Sequence, residues 1–553
     1  MCRVSARRRT ASRTTSGGSA HLTRSASGRP ARVYDPRGAK GPGRPREQRT
    51  LQQGCLKMAF VIEPNVVDRK GWRQAAAQAR KLNLTLPTFS QLAHPPLPSA
   101  KVWEDIAAIG PDEPSAANLW RMHWYNAENR RGRDLVPGYI VLPKEITGVD
   151  AKIIVLLGNR FPMIGAHKVL PAYAALIEQL VTGRFDPSKQ KAVWPSTGNY
   201  CRGGVAVSRI LGCRGVAVLP EGMSRERFEW LEKWVTDPAD IIRTPGTESN
   251  VKEIYDKCAE LRRDDSNVIL NQFSSFSNYL IHYECTGRAA EDAFKAFNQD
   301  DNHELAAFVS ATGSSGTIAA GDFLKTRWGS KVVAVEALEC PTMLNNGYGE
   351  HNIQGIGDKH IPLIHNVMNL DFVVGVSDRT TDQLNLLFGS KAGRDYLETR
   401  RGLEPALVRA FDHVGISGLA NIIASIKLAK QMNYGPEKAV VTVATDSASM
   451  YGSERRQFEE KHYGRGLDQV NAAEIFGACL LGAASDNVVE LTELSRRAVF
   501  NLGYYTWVEQ QGVSVADFER RRSQSFWSKI QDSLGEWDQL TIEFNKEANL
   551  ANA

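Results

Sequence analysis

The sequence predicts an α/β fold in which parallel sheets are covered by helices on both faces. Between about Gly138 and Ser453, short runs of β-branched residues alternate with amphipathic helical stretches, as in repeated βαβ units. Most of these runs are continuously apolar, which is typical of strands that are buried on both faces. The predicted strands are Lys152–Leu157, Ala192–Trp194, Val216–Leu219, Ile241–Arg243, Val268–Gln272, Ala306–Ser310, Val332–Glu336, Phe372–Val376 and Ala439–Ala444.

Helical sequence flanks this α/β region on both sides. Residues 58–137 are rich in Trp and Arg and are predicted to be helical. Residues 454–553 contain several amphipathic stretches, for example Ala472–Leu481 and Val515–Leu534. The chain has no internal repeat. It is therefore predicted to hold an α/β core between two helical extensions.

The first 57 residues differ in composition from the rest of the chain. They contain twelve Arg and two Lys but only Asp35 and Glu47, in a protein whose net charge is +6. Their Arg, Ser, Gly and Pro content, without hydrophobic periodicity, predicts disorder. Three interpretations remain open: an organellar transit peptide, a basic nucleic-acid-binding tail, or translation from a start codon upstream of Met58. The remainder is mildly acidic and indicates no nucleic-acid partner.

Cysteine spacing and hydropathy limit the class of protein further. The eight cysteines are scattered without a C-x-x-C pair, which argues against a disulfide framework or a zinc site. The longest apolar runs, Ile153–Leu157 and the stretch around Phe476–Ala484, are shorter than the roughly 18 residues that a membrane span needs. We expect a cytoplasmic protein without metal or membrane partner, or a mitochondrial one if the first segment is a transit peptide.

A small-residue loop follows the predicted strand Ala306–Ser310. Its sequence is Ala-Thr-Gly-Ser-Ser-Gly-Thr, and a predicted helix follows it. Ligands of such folds bind at the carboxyl ends of strands, and closely spaced N–H groups at a helix start favour a phosphate. A tight turn with a helix cap is the alternative interpretation. The candidate phosphate ligands are Gly313, Ser314, Ser315, Gly316 and Thr317.

Two further loops carry reactive or hydrogen-bonding side chains. Ser196-Thr-Gly-Asn199 follows the strand Ala192–Trp194 and offers donors to a carboxylate or a cofactor oxygen, although it could also form a capping turn. Lys168 lies where a turn enters the predicted helix Val169–Leu180. It is either a solvated lysine or a partly desolvated one, whose lowered pKa would allow it to form a Schiff base.

The order of these three segments resembles that of fold-type II pyridoxal-phosphate (PLP) enzymes. The resemblance is to the cysteine synthase and cystathionine β-synthase group, a tryptophan synthase β-like family, and it covers about residues 134–453. It implies two α/β lobes, with residues 1–57, 58–133 and 454–553 outside the catalytic core. Further matching segments are Gly138–Lys144, Asn271–Phe273, His282–Gly287, His351–Gly357, Gly415–Gly418 and Ala444–Ser447.

The resemblance also implies the role of each site residue. Lys168 would carry PLP and act as the base on the substrate Cα, residues 313–317 would bind the phosphate, and Asn199 would contact the ring hydroxyl. Ser447 would face the ring nitrogen, with Asp446 as a competing partner. A neutral hydroxyl there makes the ring a weaker electron sink and favours loss of a β-substituent over transamination. The implied substrate ligands are Ser196, Thr197, Gly198, Asn199, Gln272 and Gly355.

The implied activity is elimination or replacement of the β-substituent of a 3-substituted L-alanine, through an aminoacrylate, by a homodimer. A serine/threonine-type or diaminopropionate-type ammonia-lyase and a non-catalytic PLP-binding scaffold are the alternatives. Ala166 replaces the serine that usually stands two residues before the lysine, Ser315 replaces a glycine, and Tyr200 replaces a small residue. These departures leave the substrate open.

Overall fold

The computed structural model describes residues 64–95 and 106–549, so the segment predicted to be disordered lies outside the described residues. All nine predicted strands form, with ends shifted by up to three residues. The strands are β1 (Tyr139–Leu142), β2 (Lys152–Leu157), β3 (Lys191–Pro195), β4 (Arg214–Pro220), β5 (Ile241–Thr244), β6 (Asn267–Ile269), β7 (Glu304–Ala311), β8 (Lys331–Ala337), β9 (Phe372–Val376), β10 (Lys438–Ala444) and β11 (Val488–Glu490).

These strands form two sheets, which confirms the predicted α/β fold with two lobes. The larger sheet has the order β1-β2-β10-β7-β8-β9-β11, and the smaller has the order β5-β4-β3-β6. The smaller sheet and the five central strands of the larger sheet are parallel. β1 and β11 pair antiparallel at the two edges of the larger sheet. Helices cover the central strands, so their continuous apolar runs are buried on both faces.

The helices connect the strands and form the extensions. The α-helices are Arg69–Lys81, Phe89–Ala93, Lys144–Thr147, Val169–Val181, Asn199–Ile210, Arg225–Trp234, Val251–Leu261, Phe276–Ile281, Gly287–Phe297, Ala319–Trp328, Thr342–Asn345, Asp378–Gly389, Lys391–Thr399, Pro405–Ala410, Ile416–Gln431, Gly452–His462, Gln469–Phe476, Glu493–Tyr504, Val515–Arg520, Gln524–Asp532 and Leu534–Asn549. The shorter 3₁₀ and π segments are Ala116–Arg121, Gly158–Arg160, Pro238–Asp240, His282–Thr286, Val367–Asn369, Phe411–His413, Ala448–Tyr451, Gly477–Leu481 and Tyr505–Gln510.

The extensions depart from the sequence prediction in two ways. The C-terminal extension is not wholly helical, because β11 pairs with the edge strand β9 and satisfies its free backbone groups. The stretch Val515–Leu534 is not one helix, because the Ser523 side chain accepts a hydrogen bond from the Ser525 N–H and starts a new helix there. In the N-terminal extension, loops take up much of the part predicted as helix.

The two extensions pack against each other. The Trp72 indole meets the Phe544 ring edge-on, with ring centroids 6.0 Å apart. The Asp538 carboxylate accepts a hydrogen bond of 2.8 Å from the Phe89 N–H, and the Arg80 guanidinium donates to the Ala548 carbonyl oxygen. Trp72 and Phe544 belong to the same hydrophobic cluster as the helix that follows Lys168. The extensions therefore support the core from the side of that helix.

The described ranges also bear on membrane, metal and disulfide chemistry. No helix in them is long and apolar enough to cross a membrane. They contain no group of three or more side chains that could hold a metal ion. The six cysteines within them are buried and form no disulfide.

Candidate active site

The predicted site loops converge on one cavity between the two sheets. The loops after β3, β7 and β10 reach it from the carboxyl ends of those parallel strands, where ligands of α/β folds bind. The cavity is lined by His167, Lys168, Ser196, Thr197, Asn199, Tyr200, Gln272, Phe273, Ala311, Gly313, Ser314, Ser315, Gly316, Thr317, Gln354, Gly355, Ile356, Asp358, Ser417 and Thr445. Of the thirteen residues predicted for the site, the structure brings all except Gly198 and Ser447 to its wall.

The Lys168 amine lies between two of the predicted groups. It donates hydrogen bonds of 3.1 Å to Gln272 Oε1 and 3.0 Å to Ser314 Oγ. Desolvation lowers its pKa to about 8, against the opposing influence of the Asp358 and Glu248 carboxylates. A lysine amine with this pKa is partly neutral near pH 7.5 and can act as a nucleophile or a base.

The loop from Gly313 to Thr317 has the geometry of an anion cradle. A Cβ at Gly313 would lie 2.5 Å from the Gly355 carbonyl oxygen, so a side chain there would collide with backbone. Ser315 has a φ of +61°, a conformation that favours glycine. The Ser315 hydroxyl is buried and has no hydrogen-bond partner among the described residues. An unused buried donor beside the start of the helix Ala319–Trp328 fits a phosphate oxygen.

His167 supports this loop from behind, a role that the sequence interpretation missed. Its Nε2 lies 2.9 Å from Thr317 Oγ1 and its Nδ1 lies 3.3 Å from the Thr445 carbonyl oxygen. Burial, with a smaller contribution from the Lys168 charge, lowers the pKa of His167 to about 3. The ring is therefore neutral. The carbonyl can only accept, so Nδ1 carries the proton and Nε2 accepts from Thr317.

Asn199 begins the helix Asn199–Ile210 and is fixed by buried charges. Its Nδ2 donates to Asp446 Oδ2 at 2.6 Å, and its Oδ1 accepts from Arg202 at 2.8 Å. One amide hydrogen stays available for a ligand. Gly198 does not line the cavity, because it turns the chain at φ +149° with its α-carbon against Arg227, where a Cβ would lie 2.5 Å from Nε.

Ser447 does not line the cavity, so its contact with a cofactor ring stays a prediction. Its hydroxyl hydrogen-bonds to Ser449 Oγ at 2.7 Å, and the residue is half-buried. β10 ends at Ala444, and the next residue, Thr445, turns toward the cavity. The hydroxyls of Thr445 and Ser417 are 3.0 Å apart on this wall.

Asp446, the competing candidate, is not a cavity residue either. Its Oδ2 accepts from the Tyr451 hydroxyl as well as from Asn199, and the Arg227 guanidinium lies 4.0 Å away. Asp446 therefore orients Asn199 from behind the cavity wall.

Two acidic residues near Lys168 were missed by sequence reasoning. Asp358 lines the cavity, and burial raises the pKa of its carboxyl to about 7. Glu248 is fully buried beside it, and desolvation raises its pKa to about 8. Asp358 directly follows the Gly-Ile-Gly segment that ends at Gly357, so its position in the chain was the available signal. Glu248 gave no comparable signal.

These features together fit PLP. The loop with the unused Ser315 hydroxyl can hold its phosphate, Asn199 can contact its ring hydroxyl, and the Lys168 amine can bind its aldehyde carbon. The hydroxyls of Thr445 and Ser417 would be neutral partners for its ring nitrogen.

Comparison with known proteins agrees with this fit. A family model described as "Pyridoxal-phosphate dependent enzyme" matches residues 144–446. Cysteine synthase B of Campylobacter jejuni is 31% identical over 254 residues, which cover 45% of this chain and 74% of that protein. Cystathionine beta-synthase of Saccharomyces cerevisiae is 29% identical over 211 residues, which cover 36% of this chain and 40% of that protein.

One solved structure among those similar to the chain is the O-acetylserine dependent cystathionine beta-synthase from Helicobacter pylori. It is 23% identical, with a TM-score of 0.46, and the match covers 57% of this chain and 94% of that one. The family match spans more than half of the sequence and therefore establishes the family of this chain. The chain belongs to the pyridoxal-phosphate-dependent enzymes, in the cysteine synthase-like group, and its cofactor is pyridoxal 5′-phosphate.

Proposed function

We propose that the protein removes the β-substituent of a 3-substituted L-alanine by elimination, or exchanges it for a nucleophile. The observation that carries the proposal is the position of the Lys168 amine, which hydrogen-bonds to both Gln272 and Ser314. In this position the Lys168 amine can first bind the cofactor and then act as the base on the substrate Cα. The names of the relatives, several of which are cysteine synthases, support the same reaction class.

The residues of the chain divide into two binding sets in this proposal. Residues 313–317 and Asn199 hold the cofactor, which when bound withdraws electrons from the substrate Cα–H bond. Ser196 and Thr197, at the start of the helix Asn199–Ile210, hold the substrate carboxylate together with Gln272 and the backbone of Gly355. Lys168 takes the proton from Cα and holds it at Nζ.

The residues that would face the cofactor ring favour loss of the β-substituent. We assign the role first given to Ser447 to the Thr445 and Ser417 hydroxyl pair. A neutral hydroxyl stabilises a protonated ring nitrogen less than a carboxylate does. Charge that develops at Cα is then delocalised less, and expulsion of the β-group competes well with transamination.

A substrate panel tests this function. The holoenzyme is incubated with O-acetyl-L-serine, O-phospho-L-serine, L-serine, L-cysteine and L-2,3-diaminopropionate, with and without sulfide. Mass spectrometry and a pyruvate assay then identify the products. We expect pyruvate, or a β-substituted product when sulfide is present. Dominant racemisation or transamination products would contradict the proposal. Size-exclusion chromatography with light scattering tests the predicted homodimer separately.

A further inference from the structure

Two buried carboxyl groups near Lys168 lack the hydrogen-bond partners that buried acids normally have, and one of them lines the cavity. No described side chain or backbone N–H hydrogen-bonds to the Asp358 carboxyl, which lines the cavity and is 6% exposed. Both carboxyl oxygens of Glu248 are buried and lack hydrogen bonds of normal geometry, although Thr197, the Gly355 N–H and the Arg227 guanidinium lie close enough to oppose the rise of its pKa. Burial of an unpaired carboxylate is costly and raises its pKa, so a bound cation would stabilise the ionised form of these acids.

The fixed cations of the site do not fill this role for Asp358. Lys168 is the one lysine or arginine among the residues that line the cavity, and the bound cofactor engages its amine. Arg227 lies behind Gly198 and has its own partners: it donates to the Ser224 and Tyr451 hydroxyls and to Gln354 Oε1. Its charge acts on Asp446 and on Glu248 behind the cavity wall, so it partly offsets Glu248 but does not serve Asp358. The phosphate of the bound cofactor would add further negative charge to the cavity.

We propose that the site selects substrates whose β-substituent is a protonated amine, with L-2,3-diaminopropionate as the simplest member of the class. This inference rests on the proposed function. The ammonium group would pair with the Asp358 carboxylate on the cavity wall, and the Glu248 carboxylate would add to the attraction from behind it. An anionic substituent such as a phosphate ester could not pair with Asp358 and would oppose its ionisation, and a neutral ester would leave Asp358 without a cationic partner.

The reaction balances without an added reagent other than water. Lys168 takes the Cα proton, the Cβ–N bond breaks, and its electron pair goes to nitrogen. The nitrogen entered as an ammonium group, so it leaves as neutral ammonia. Once the remaining enamine is released, it takes a proton at C3 and reacts with water to give pyruvate and a second ammonia. Asp358 stabilises the ammonium group and transfers no proton in this scheme.

The first test compares substrates on the wild-type holoenzyme. Pyruvate release is followed for L-2,3-diaminopropionate, O-acetyl-L-serine and O-phospho-L-serine. We expect kcat/KM for the diamine to exceed that for O-acetyl-L-serine about tenfold or more, which corresponds to about 1.4 kcal/mol, with O-phospho-L-serine the poorest. Unreactive probes give an independent measure: L-2,4-diaminobutyrate should inhibit competitively at lower concentration than its neutral isostere L-norvaline.

The second test uses variants with a matched control. Asp358→Asn and Glu248→Gln should reduce the preference for the diamine over O-acetyl-L-serine about tenfold, because each removes a carboxyl group that a bound ammonium group would hold in its ionised form. Glu336→Gln is the control, since Glu336 is another buried acid with a raised pKa but accepts from the N–H groups of Met343 and Leu344 away from the cavity. It should leave the preference unchanged.

The outcomes separate this inference from the proposed function. If O-acetyl-L-serine or O-phospho-L-serine releases pyruvate at least as efficiently as the diamine, the inference is wrong and the proposed function stands. If none of the panel yields pyruvate or a β-substituted product, the proposed function fails as well. A variant that does not fold would remove only the comparison of variants, because the substrate and inhibitor comparisons use the wild-type protein.

Discussion

The lowered pKa of Lys168 makes a quantitative prediction about cofactor attachment. Only the neutral amine attacks the cofactor aldehyde. With a pKa of about 8, about a quarter of the Lys168 amines are neutral at pH 7.5. With the ordinary value of 10.5, about one in a thousand would be neutral. Burial of Lys168 should therefore raise the rate of attachment roughly 200-fold at this pH.

The assay mixes apoenzyme with excess PLP between pH 6 and pH 10 and follows the visible absorbance. The rate should rise with pH and level off above about pH 8, because burial disfavours the protonated form of the amine. Acetyl-lysine methyl amide, mixed with PLP in the same buffers, corrects for the ionisations of the cofactor. Lys168→Ala should give no bound chromophore. Borohydride should fix PLP on the peptide that contains Lys168.

The Asp358→Asn variant tests the direction in which the Asp358 charge shifts the pKa of Lys168. The Asp358 charge opposes the lowering of the Lys168 pKa, so its removal should move the midpoint of the rate profile to lower pH. A wild-type midpoint near pH 10, or a shift to higher pH in the variant, would refute the account of the lysine environment.

Three further predictions follow from other parts of the structure. Ser315→Gly should stabilise the apoprotein by about 1 kcal/mol, because it relieves a positive φ, and thermal unfolding measures this effect. The same variant should weaken PLP binding, because it removes an unused hydrogen-bond donor, and a PLP titration measures that effect. Thr445→Val should change the visible spectrum and lower the cofactor affinity, whereas Ser447→Ala should change neither, since only Thr445 lines the cavity. Trp72→Ala should lower the free energy of unfolding by about 3–5 kcal/mol through lost contact with Phe544, and an unchanged denaturation midpoint would contradict the packing of the extensions.

The sequence was sufficient to predict the central strands and to select loops that the fold brings to one cavity. The continuous apolar runs such as Phe372–Val376 can be buried only inside a covered sheet, so their pattern predicts both their structure and their position. Lys168 and the Gly313–Thr317 loop carry chemistry in their residue types and their order along the chain. Both could therefore be identified before any three-dimensional position was known.

The extensions show where local pattern loses its predictive power. β11 is three residues long and forms because β9 offers an edge, which no local sequence property shows. The break near Ser523 depends on a single capping hydrogen bond within an otherwise amphipathic stretch. Boundaries of this kind are set by competition between capping and helix propagation rather than by hydrophobic periodicity.

Only the tertiary structure decided which polar residues reach the cavity. Thr445 and Ser447 are two residues apart and chemically alike, yet the turn after β10 directs one inward and leaves the other beside Ser449. Glu248 and Asp358 are 110 residues apart in the chain, and folding buries both near Lys168. Residue type and order along the chain determine which cofactor can be held. In our proposal the choice of substrate depends on charges that separate segments bring together, because electrostatic interaction depends on distance in space and on burial, neither of which the sequence of these segments contains.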